Sequence, residues 1–135
     1  MTMQESAKRL TEANNLARLE LNRIRNEPNA DHAVIEGCLR RYCAIKLMLT
    51  ENEISDNITK MVRFSVARAI KVDVSALEGL DMPGRCGSAP AVLSKRILLF
   101  LAIQKELNVE LPVEKTPDIQ TLKDLADVLI PLLHH

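Results

Sequence analysis

Apolar side chains return every third or fourth residue in five stretches of this chain, and no stretch with the alternating spacing of a half-buried strand competes with them. From 4 to 26 the pattern runs through Leu10, Ala13, Ala17, Leu21 and Ile24, with Leu16 and Leu19 widening the stripe. Pro28, within NEPNAD, breaks it, and Asp31 is the expected N-cap of a second helix over 32–51. That helix carries Ile35, Cys38, Leu39, Tyr42, Ile45 and Leu49. A short link between two amphipathic helices implies an antiparallel hairpin.

Ser55 and Asp56 are the expected caps of the next helix, with Ile58, Met61, Val62, Val66 and Ile70 at helical spacing. The stretch ALEGLDMPGRCG, 76–87, holds three of the four glycines and reads as a long loop. Ser88 then precedes Ala89 and Pro90, residues that suit a first helical turn, and a helix should continue to about residue 107. Asn108 is placed to end it. Thr121 should cap a last helix with Leu122, Leu125, Ala126 and Leu129 on one side, closed by Pro131. The fold expected is all-α.

Composition narrows the function. Lys plus Arg and Asp plus Glu number 18 each, the basic residues form no stripe, and two phenylalanines and one tyrosine are too few for a base-stacking platform. No nucleic-acid partner is expected. Nothing hydrophobic follows Met1, and the longest apolar run, 97–103, is too short to span a bilayer, so a cytoplasmic chain without membrane association is expected. Cys38, Cys43 and Cys86 are odd in number and lack metal-ligand spacing, which fits reduced thiols. His32 reads as a surface residue, and His134 and His135 make no metal site alone. A reactive thiol at Cys86 has no neighbouring His or CxxC partner to activate it. Neither a catalytic residue nor a metal ligand stands out.

Residues 57 to about 130 resemble an acyl carrier protein. The likeness rests on the helix ITKMVRFSVARAIKV, a long loop, a helix ending in QKELNVELP, and the closing segment TPDIQTLKDLADVL. It implies a four-helix bundle over 55–135, preceded by the hairpin of 1–54, which lies outside the resemblance. In that family a serine in an Asp-Ser-Leu motif, at the start of the second helix, accepts 4′-phosphopantetheine. Here the motif is missing. Ser88 stands at the loop-to-helix junction but about five residues early, after Gly87. Ser94 is one residue late and lies within the expected helix. Ser88 is read either as a helix cap or as an attachment site, with Ser94 the lesser candidate.

Carrier domains usually show acidic residues along this helix, whereas this one offers Lys95, Arg96, Gln104 and Lys105. Between them ILLFLAI, 97–103, puts Leu98 and Leu101 on faces that a simple carrier leaves wet. A helix apolar nearly all round is normally covered on more than one side. The hairpin, a protein partner or a second copy of the chain is expected over it, with Lys95, Arg96, Leu98 and Leu101 as contact residues. The function expected is a non-enzymatic, carrier-related module acting through protein–protein contacts, as an accessory in a biosynthetic or peptide-maturation system. The alternative is a working carrier bearing 4′-phosphopantetheine on Ser88.

Overall fold

The computed structural model describes residues 3–27, 29–69 and 89–134. Their regular structure is helical: α1 (Met3–Asn26), α2 (His32–Lys46), α3 (Ile58–Ala69), α4 (Ala89–Leu107) and α5 (Leu122–Leu133), with 3-10 turns at Glu51–Glu53 and Val113–Asp118. The protein is all-α, as its apolar spacing requires.

The hairpin is antiparallel. Lys46 Nζ, at the end of α2, donates to Asn14 Oδ1 at 2.8 Å, while Arg41 Nε donates to Glu20 Oε1 at 2.8 Å, so numbers rise on one helix as they fall on the other. Glu20 is buried, and a buried carboxylate needs such a partner to offset its lost hydration. The same contact raises the Arg41 pKa above its ordinary value. Because α2 ends opposite Asn14, the first turns of α1 extend past it. Leu10 therefore stays exposed, although it shares a face with buried Ala17 and Ile24 at seven-residue spacing.

α2 packs on α1 along one side and on α5 along another. Five positions turn Cys38 and Cys43 apart around the helix axis, yet both are buried because each side has a neighbour. Burial pushes the Cys43 thiol up to about 12, so it is not a nucleophile near neutral pH. His32 joins the two helices from the edge, with Nε2 2.7 Å from Asp127 Oδ1 and Nδ1 3.1 Å from Glu36 Oε2. One cluster of buried side chains runs from Ala17 and Leu21 through Leu39 and Met61 to Ile103 and Leu129. Hairpin and downstream helices thus share a single core.

Several helix ends differ from the sequence expectation. α2 stops at Lys46, five residues early, because Met48 adopts a left-handed backbone with φ 55°. The amides of Met48 and Leu49 then reach back to the carbonyls of Ile45 and Ala44, closing the helix with a two-bond C-cap. Asn108, also at φ 55°, ends α4 where expected, with the Val109 amide donating to the Gln104 carbonyl. α3 is capped by Asn57, whose Oδ1 accepts from the Lys60 amide at 2.8 Å. Ser55 instead accepts from the Asn57 amide, and Asp56 pairs with Arg40. Asp31 holds the N-cap position of α2 through its carbonyl, without a side-chain bond. Pro131 lies inside the last turn of α5, where the helix continues to Leu133 despite the missing amide.

Thr121 caps α5 as expected. Its hydroxyl accepts from the Asp124 amide at 3.1 Å, and Asp124 Oδ2 accepts in return from the Thr121 amide at 3.0 Å. The starts of α3 and α5 are linked directly: the Ile58 amide donates to the Gln120 carbonyl and the Leu122 amide to the Asp56 carbonyl, both at 2.9 Å.

Two outcomes test these ends. Met48→Gly removes the left-handed penalty of a side chain, about 1–2 kcal/mol, against an entropic cost of about 0.5–1 kcal/mol for glycine. Thermal melts should accordingly show a small net stabilisation for this variant. Hydrogen bonds from the Gln120 and Thr121 amides hold the Asp124 carboxyl below its ordinary value. Its contribution to stability is therefore full above the unfolded carboxylate pKa of about 3.9 and is lost as pH falls through the lower folded value. Asp124→Asn should be less stable than the parent at pH 7 by urea titration, and the gap should close in acid.

Candidate functional site

α4 has two unlike sides. Leu99, Phe100, Ile103 and Leu107 are buried, and the helix packs against α3 and α1. On the other side Leu93, Ile97, Leu98 and Leu101 are 56%, 48%, 64% and 53% exposed. Leu93, Ile97 and Leu101 follow one another at four-residue intervals, and Leu98 lies beside them, so the four make a continuous apolar strip two turns long. Isolated exposed leucines are ordinary, but a contiguous strip of large apolar side chains is what interaction surfaces present.

The expected contact residues separate onto the two sides. Leu98 and Leu101 belong to the strip. Lys95 is half-buried, and burial, then repulsion from Lys46, holds its ammonium below the ordinary lysine value. Arg96 is turned into the protein. Its Nη2 donates to the Thr116 carbonyl at 2.9 Å and also to the Ile119 carbonyl, while the guanidinium carbon sits 4.7 Å from the Phe100 ring centroid. Arg96 thereby ties α4 to the turn that leads into α5. α1 reaches α4 through Arg18 Nε, 3.3 Å from Glu106 Oε2, and leaves Leu98 and Leu101 in solvent. The hairpin does not cover the strip.

Leu93 and Ile97 were not singled out from sequence, although four-residue spacing back from Leu101 marks both. Ser94 is exposed in the second turn of α4, between Leu93 and Leu98, rather than at the helix start. Ser88 and Cys86 lie outside the described residues. Among the described residues no group of three or more His, Cys, Asp or Glu side chains is placed to hold a metal ion, and no helix is long and apolar enough to cross a membrane.

Comparison of the chain with protein-family models, with curated proteins and with solved structures finds no match.

The two sides of α4 should respond differently to substitution. Arg96→Leu removes charge-assisted bonds to two carbonyls and should cost about 1.5–3 kcal/mol in a chemical denaturation curve. Leu98→Glu, on the exposed side, should shift the same curve by no more than about 0.5 kcal/mol.

Proposed function

We propose that the protein is a non-enzymatic, carrier-related helical module that docks another protein through the exposed strip of α4. The observation that carries this reading is the strip itself: four large apolar side chains in register, left uncovered by a hairpin that packs on the same helix. Covering a half-exposed leucine recovers roughly 1 kcal/mol of apolar transfer energy, so such a strip can anchor a helix of a partner.

Charge selects the kind of partner. Of the charged residues of α4 Lys105 alone is exposed, and the sole acidic residue of that helix, Glu106, pairs with Arg18. A symmetric contact with a second copy would bring each Lys105 to a helix face that carries no carboxylate. An amphipathic helix of a different protein, with acidic residues flanking its apolar face, fits better.

A second reading retains the resemblance to acyl carrier proteins, with 4′-phosphopantetheine on Ser88. It is favoured by one feature of the sequence: Ser88 precedes Ala89 and Pro90, residues that suit a first helical turn, and a helix start suits a phosphate-bearing serine.

A photo-crosslinking residue placed at position 98, in the full chain and in its own cells, tests the docking. One protein should be captured through a helical peptide with acidic residues beside its apolar side. That adduct should vanish in Leu101→Glu while the melting curve stays unchanged. Adducts only between copies of this chain would overturn the choice of partner, and no adduct at all would overturn the docking surface. Intact mass after co-expression with a phosphopantetheinyl transferase should show the unmodified chain. A single added prosthetic group on residues 86–94 would favour the carrier.

A further inference from the structure

A separate opening lies between α1, α2 and α4, with a volume of about 270 Å³. Ala17, Leu21 and Ala102 give it an apolar wall, and Arg18, Lys46, Lys105 and Glu106 supply its charges. Arg18 and Glu106 pair with each other at 3.3 Å and cancel. Lys46 has a neutral hydrogen-bond partner, Asn14 Oδ1, and Lys105 makes no ion pair among the described residues. Among the described residues two positive charges are thus left without counter-charge around one small concave space. In a chain whose formal net charge is zero, this is a local excess. Lys95 adds to it, standing near enough to Lys46 for repulsion to depress its own pKa alongside burial.

Tyr42 also lines the opening. Burial, with smaller contributions from Cys43 and Glu106, holds its phenol proton far above the ordinary tyrosine range, so the hydroxyl remains a hydrogen-bond donor at any physiological pH. The polar groups that are not already matched are therefore donors and cations, and the remaining wall is hydrocarbon. That combination selects a ligand with an anionic head and a short apolar body. Two uncompensated ammonium groups match a dianion better than a monoanion, which points to a phosphate rather than a carboxylate head.

We propose that this opening binds a small organic phosphate monoester, with Lys46 and Lys105 meeting the phosphate and Ala17, Leu21 and Ala102 receiving its hydrocarbon part. The inference shares Lys105 with the docking side of α4 but does not rest on docking, because Lys46, on α2, and the wall formed by Ala17, Leu21 and Ala102 have no part in that strip.

The protein carries its own reporter, since Tyr42 is the single tyrosine and there is no tryptophan. Titration of the full chain with n-butyl phosphate should give a saturable change in tyrosine emission and saturable amide shifts at Ala17, Tyr42 and Ala102. Butyrate and inorganic phosphate should each bind at least about tenfold more weakly, and Lys46→Met and Lys105→Met should each cost a similar factor, as expected for loss of one charge-assisted bond. Lys105 is exposed, so its variant should keep the parent melting curve and stands as the control for any loss of folding in Lys46→Met. Absence of saturable shifts, or shifts that survive both lysine substitutions, would overturn the site. Equal binding of butyrate would overturn the dianionic head, and equal binding of inorganic phosphate would overturn the organic part.

Discussion

The burial of α2 on two sides is the condition on which the rest of the structure depends. A hairpin of two helices has one shared seam, and a short hairpin alone is marginal in water. Here the second helix presents Leu39, Cys43 and their neighbours to more than the first, so the hairpin is continuous with the core formed by the later helices. Polar contacts follow that arrangement rather than cause it. Glu20 with Arg41 fixes the register of α1 on α2, and His32 with Asp127 fixes α5 on the other side. Ion pairs this near the surface contribute little energy individually, but they do choose among nearly equivalent packings.

Much of this was legible from residue spacing. The apolar track of α5 and the described part of that of α3 are buried as the spacing suggests, while the track of α1 holds only at Ala17, Leu21 and Ile24 and leaves Leu10, Leu16 and Leu19 exposed. Thr121 and Asn108 bound their helices for the reasons their side chains suggest. What was not legible has a physical cause in each case. Methionine has no preference for a left-handed backbone, so nothing in the sequence around Met48 announces that α2 stops before it. The two expected caps, Ser55 and Asp56, serve a turn and an ion pair, while the next residue, Asn57, makes the cap itself, and only packing decides which does what. Cys38 and Cys43 point in different directions, and a linear pattern does not show that both directions hold a neighbour.

The candidate site was legible in the same partial way. The run 97–103 marks α4 as unusual, but a helix apolar all round is compatible with cover on either side or on both. In the structure one side is filled and the other is left to solvent. Lys95 and Arg96 looked like a basic flank of the strip. Yet Arg96 precedes Phe100 by one helical turn and shares its direction, so its guanidinium closes the inner side instead. The cavity beside Tyr42 had no linear signature, because its charges come from three helices and meet only on folding.

The paired amide bonds between the starts of α3 and α5 carry a mechanical consequence. Residues Asp56 to Ile58 and Gln120 to Leu122 exchange two backbone bonds across a single isolated bridge, which fixes both the separation and the relative rotation of the two helix origins. Farther along, the same helices are restrained by side-chain packing, which yields more readily than a pair of short backbone bonds. The arrangement is that of a clasp at one end of two rods. Breathing of this bundle should have its fulcrum at Asn57 and Thr121, and its largest excursions at the far ends of α3 and α5.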